Sequence, residues 1–113
     1  MKIRPLIFGC ILLLSSGVQL FAQSVEEMMN TGQVMLRRGA YSQAVTAFRK
    51  VISREPDHFE ARANLGFAYL GWGRNSNAIK ELNQAIVYNA RNAEVWSNLA
   101  IAYENLGRTS DAA

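Results

Sequence analysis

"NLGFAYLGWGRNSNAI", residues 64–79, returns at the end of the chain as "NLAIAYENLGRTSDAA", residues 98–113. The offset is thirty-four residues, and sliding the whole 113-residue chain by that distance carries the match backwards. Gly32, Gly66 and Ala100 fall in register; so do Met35, Tyr69 and Tyr103, then Gly39, Gly73 and Gly107, then Ala44, Ala78 and Ala112. Self-similarity at one fixed period of this length marks stacked supersecondary units, each too small to bury its apolar face without a neighbour.

The kind of unit follows from what stands in each column. Gly39, Gly73 and Gly107 suit helix ends, where a left-handed residue closes the last turn and glycine alone has no Cβ to clash. Gly32, Gly66 and Ala100 suit the closest crossing of two antiparallel helices, because a larger residue would push the axes beyond the usual ~8–10 Å; Ala44 and Ala78 do the same from the facing helix. Starts agree with stops. Ser24 with Glu27 forms a capping box, Asp57 with Glu60 has the same pattern, and Asn75, Asn92 and Thr109 stand near the remaining starts. The pattern predicts helices over 25–38, 41–54, 59–72, 75–88 and 93–106, with a sixth beginning at Thr109.

Period and columns together resemble the tetratricopeptide repeat, a helix, a tight turn and a second helix, from Val25 to the end of the chain. The family's opening large residue falls on Met28, Arg62 and Trp96, and its leucine on Thr31, Leu65 and Leu99. Phe48 and Leu82 fill its later large apolar column, and Pro56 ends the first unit as the family's proline does. Met28, Thr31, Met35, Arg62 and Ala90 depart from the pattern. The resemblance implies an all-α, right-handed α-solenoid of helix-turn-helix repeats: two full repeats, about 25–58 and 59–92, and the first part of a third over 93–113. Trp96, in a structural column, is expected in the core. A solenoid normally ends in a polar capping element; none is visible after Thr109, so the sequence is expected to be the N-terminal part of a longer array.

Residues 1–22 have a different composition. Lys2 and Arg4 precede a charge-free apolar run, densest from Leu6 to Leu14, and small and polar residues follow: the order of a secretory signal peptide. Cleavage is expected after Ala22, leaving an array over 23–113 and a secreted or periplasmic protein. The alternative is an uncleaved membrane anchor, since Pro5 to Ala22 nearly reaches the roughly 20 apolar residues a span requires. Cys10, the one cysteine, lies inside this segment, so a cleaved form has no disulfide and no thiolate. Removing Lys2 and Arg4 leaves ten basic residues against nine acidic ones, and the basic footprint expected of a nucleic-acid partner is then missing.

No nucleophile with its base, no carboxylate pair and no metal cluster is recognisable, so no catalytic role, cofactor or metal is expected. His58, the only histidine, sits in a turn and is expected to be solvated or satisfied there. Binding is what remains. The resemblance implies that the first helix of each pair lines a concave groove. The lining would comprise Met29, Gln33, Leu36 and Arg37, then Ala63, Phe67 and Leu70, then Ile101 and Glu104, together with Glu26, Glu60, Gly71, Glu94, Ser97 and Asn105. Met29, Leu36, Phe67, Leu70 and Ile101 would form an apolar strip with carboxylates beside it, suited to a protein or peptide segment docked through a few apolar anchors. Each of these five could instead pack between repeats. The carboxylate clamp of the family's chaperone-binding branch would fall on Met29, Gln33, Asn64, Glu94 and Asn98, where only Asn64 matches; a glutamate where positive charge is required repels a peptide carboxylate. The expected function is that of an exported scaffold for protein–protein interaction, with no membrane contact once the leader is removed. The alternative is the targeting or regulatory array of a larger envelope enzyme whose catalytic part lies beyond residue 113.

Overall fold

The structure, a computed structural model, describes residues 22–112; the expected leader up to Phe21 lies outside the described residues. Five helices follow one another: α1 (Val25–Arg37), α2 (Tyr41–Arg54), α3 (Phe59–Gly71), α4 (Asn75–Tyr88) and α5 (Ala93–Ala112). Among the described residues there is no strand, and no helix long and apolar enough to cross a membrane.

Local chemistry sets the helix boundaries. Ser24 Oγ accepts from the Glu27 amide at 3.1 Å while the Ser24 amide donates to the Glu27 carboxylate at 3.3 Å, a complete capping box at the start of α1. α1 and α3 stop identically. Gly39 and Gly73 adopt φ of 74° and 76°, the Ala40 amide donates back to Met35 O and the Arg74 amide to Tyr69 O, and each glycine supplies the left-handed residue this closure needs. The expected cap at Asp57 is displaced by one residue. His58 is the N-cap of α3, its Nδ1 accepting from the Ala61 amide at 3.1 Å, so the helix starts one residue later and a different orphan donor is satisfied. Asn92 caps α5 through Val95 N at 3.1 Å, whereas Asn75 lies inside α4, whose N-cap, Arg74, makes no side-chain cap.

Each helix packs chiefly on the next in sequence; α1 also touches α3, and α3 touches α5, while α2 and α4 do not touch one another. The first helices of the pairs therefore stand side by side as one wall, with α2 and α4 splayed behind it. The pairs lock where the columns predict. A Cβ on Gly32 would lie 2.5 Å from Phe48 Cε1, and one on Gly66 2.6 Å from Leu82 Cδ2; Phe48, Leu82, Ala44 and Ala78 are fully buried. A side chain at either glycine would occupy the space of a core residue. Arg62, the unexpected member of its column, is accommodated by polar pairing: its guanidinium meets Glu81 at 2.9 Å and Pro56 O at 3.1 Å, with the two charged side chains only 16% and 14% exposed.

The third unit departs from expectation. α5 runs without a break through Gly107 and Thr109, so neither the stop nor the sixth start forms. Gly107 has no positive φ and nothing within 4 Å of where a Cβ would stand. At Gly39 and Gly73 the chain instead reverses, and the following helix packs against the one just completed. Trp96 is 49% exposed rather than core, its Nε1 donating to Ala90 O at 2.7 Å, and Ala100 and Tyr103 are exposed as well.

Two substitutions separate the crossing glycines from the free one. Gly66→Leu is expected to lower stability by about 1–3 kcal/mol or more through overpacking against Leu82, whereas Gly107→Ala is expected to raise it by roughly 0.5–1 kcal/mol as a helix-interior replacement. Thermal unfolding of both variants checks this, and loss of stability in Gly107→Ala would mean that residue 107 closes a helix.

Candidate functional site

The wall of first helices carries a groove of about 270 Å³. α3 builds most of it: Glu60, Ala63, Asn64 and Phe67, spaced i, i+3, i+4, i+7, lie along one stripe of the helix with Phe59 at its head. Leu36 closes the groove from α1, and Asn92, Glu94, Val95 and Asn98 close it from the start of α5. Two repeat columns meet across it. Glu60 and Glu94 are one period apart, as are Asn64 and Asn98, so the sequence repeat becomes a pair of carboxylates and a pair of amides facing one space.

The floor is apolar and open. Phe67 is 42% exposed, Leu36 and Ala63 are half-buried, and all three line the cavity. Of the carboxylates, Glu60 accepts one hydrogen bond from Gln33 Nε2 at 3.3 Å, and no basic residue lines the groove. The amides of Asn64 and Asn98 each offer both donors and an acceptor, the complement a peptide backbone requires.

Of the other residues placed in the groove from sequence, Met29 is only 7% exposed and belongs to the core, and Leu70, half-buried, packs against that core outside the cavity lining. Gln33 stands at the edge, bonded to Glu60. Arg37, at the C-terminal end of α1, is exposed outside the cavity, as are Ile101 and Glu104 further along α5; Glu104 pairs with Arg108. Glu26 and Ser97 are exposed outside it as well. Asn105 is engaged by Asn75 Oδ1 at 3.2 Å, and a Cβ on Gly71 would sit 2.3 Å from the Tyr41 ring, so that glycine admits α2 rather than a ligand. Phe59, Asn92 and Val95 were not foreseen in the groove, and Asn64 and Asn98 only as clamp positions. One helical turn either side of Ala63 and Phe67 reaches residues 59, 60 and 64, so the signal for the α3 members was present.

A second hollow, about 330 Å³, opens on the other side between α2 and the α3–α4 turn. Trp72 settles there: its ring stacks on Tyr69 with centroids 6.5 Å apart and planes 3° from parallel, and the Arg74 guanidinium lies 4.5 Å over it. This bracket ties the turn to the end of α3. Among the described residues no group of three or more His, Cys, Asp or Glu side chains is placed to hold a metal ion.

Residues 35–86 match the family described as tetratricopeptide repeat, and residues 72–107 match a second description, TPR repeat. The chain is a tetratricopeptide-repeat protein. MamA AMB-1 is similar in structure, with a TM-score of 0.71 and 28% sequence identity over 80% of this chain and 53% of that one. The second TPR domain of human RPAP3, solved with an HSP70 peptide, superposes with a TM-score of 0.68 at 22% identity over 75% of this chain and 71% of that one. The Sgt2 TPR domain of Aspergillus fumigatus gives 0.71 at 21%, over 77% and 58%. This TPR chain thus spans about half the length of the MamA chain it matches, and no curated protein is similar enough to count as a relative.

The burial pattern separates wall from lining. Met29→Ala is expected to cost about 2–4 kcal/mol as a core truncation, and Phe67→Ala about 1 kcal/mol because much of that ring already meets water; urea unfolding of the two variants checks the difference.

Proposed function

We propose that this tetratricopeptide-repeat chain is a non-catalytic scaffold that holds a segment of a partner protein in the groove between α1, α3 and α5. The observation that carries the reading is Phe67, a large apolar side chain 42% exposed beside Leu36 and Ala63 in a concave, amide-lined space. A ring left in water at such a place favours an apolar anchor from a partner, since burying it removes apolar area from water at roughly 25 cal/mol per Å². The RPAP3 domain, which shares this fold, was solved in complex with an HSP70 peptide. An acidic peptide end of that kind is disfavoured here, because Met29 is buried in the core and Glu94 stands where a clamp requires positive charge.

Export is part of the proposal and rests on residues 1–22: a basic start, an apolar run and Ala22 before the expected cut. The reading is of a periplasmic or secreted binding module.

Selection of a random peptide library on the immobilised chain tests the groove. Peptides with a recurrent apolar anchor are expected, binding at least about tenfold more weakly to Phe67→Ala and equally well to Val87→Ala, which alters an exposed residue on α4. Peptides insensitive to Phe67→Ala would contradict the reading. For export, the intact mass of the protein from a secreting host is expected to begin at Gln23; a mass retaining residues 1–22 would favour the anchor instead.

A further inference from the structure

The groove has a sign as well as a shape. Glu60 and Glu94 both line it, from the first turns of α3 and α5, and carboxylates in a first turn ordinarily answer the helix dipole. The magnitudes show a surplus. Each helix N-terminus contributes about half a positive charge against a full negative charge on each glutamate, so the two ends together leave the rim negative by about one unit. Nothing in the lining cancels it: Gln33 gives Glu60 one neutral hydrogen bond, Arg62 is engaged by Glu81, and Arg91, next to Asn92 in sequence, is not among the lining residues. The opposite hollow carries the other sign, with Arg49 and Arg74 in its lining and no acid.

We infer that the segment held in the groove is cationic, carrying a lysine or arginine a few residues from its apolar anchor; this rests on the groove reading above. The anchor lies on Leu36, Ala63 and Phe67, the cation reaches between Glu60 and Glu94, and the amides of Asn64 and Asn98 serve the intervening backbone. The spacing follows from the helix. Glu60 and Phe67 are seven residues apart on α3, about 10 Å along its axis at ~1.5 Å per residue, which an extended chain at ~3.3 Å per residue covers in about three residues. A partner that presents a phenylalanine or leucine three residues from a lysine or arginine matches both ends at once.

Three synthetic peptides test the sign: a phenylalanine in a Gly/Ser background with, three residues away, a pair of lysines, glutamines or glutamates. Fluorescence anisotropy with the full chain is expected to rank lysine above glutamine above glutamate, the lysine peptide binding about fivefold or more tighter than the glutamine one at ~50 mM salt and losing that advantage at ~500 mM. In Glu60→Gln/Glu94→Gln the lysine and glutamine peptides are expected to bind alike; neither residue is buried in the core, so the double variant stays folded, with a melting temperature lowered only by the loss of two helix-dipole contacts. Equal affinities for all three peptides on the unaltered chain, still weakened by Phe67→Ala, would overturn the charge pairing and leave the groove standing. A lysine preference that survives the double substitution would place the cation elsewhere and overturn the inference. Affinities unmoved by Phe67→Ala would remove the groove itself.

Discussion

Everything in this structure hangs on the absence of a β-carbon at two places. Phe48 and Leu82 lie where side chains on Gly32 and Gly66 would have to go, with gaps of 2.5 and 2.6 Å. Because those two apolar residues seat directly on helix backbone, the paired helices approach closely enough for Ala44 and Ala78 to be sealed off completely. The turn glycines then return the chain at the same angle twice, and repetition of one crossing sets α1, α3 and α5 in contact along one side while α2 and α4 stand apart on the other. The groove is the concave consequence of that repetition, and its lining was chosen by geometry before any ligand chemistry entered.

Much of this was legible from the period alone. Ser24 with Glu27, Gly39 and Gly73 act through local rules for helix ends, and Gly32 and Gly66 mark the helix crossings that the columns predict. What the period did not give was how far each column is covered. Trp96 and Tyr103 occupy columns that are more covered in the earlier pairs, yet they are 49% and 54% exposed. Gly107 differs in the backbone: it stands in the same column as Gly39 and Gly73, yet α5 runs through it without a positive φ. His58 rather than Asp57 is the cap, accepting from the Ala61 amide, because the helix begins one residue later than the Asp57–Glu60 spacing implies.

The lining was harder to read than the core for a related reason. A face pattern assigns residues to one side of a helix but does not say how deeply each is covered. Met29 is buried in the core while Phe67, in the same broad stripe of its own helix, remains open. Leu70 and Gly71 belong to the end of α3, where α2 comes close enough for the Tyr41 ring to press on the backbone. Polar groups followed the period more faithfully. Glu60 with Glu94 and Asn64 with Asn98 line one cavity because nothing buries them and the repeat brings them into line.

The close crossings, the open phenylalanine and the carboxylates of Glu60 and Glu94 together make the surface on which the proposed binding of a partner segment rests. Amide NMR mapping of the protein with a bound peptide tests that account most directly, since it reports which helix faces the ligand. Shifts confined to residues 59–67 and 92–98, with Leu36 responding across the groove, are the predicted result. Shifts centred instead on Arg49, Trp72 and Arg74 would put the binding surface on the opposite side and contradict it.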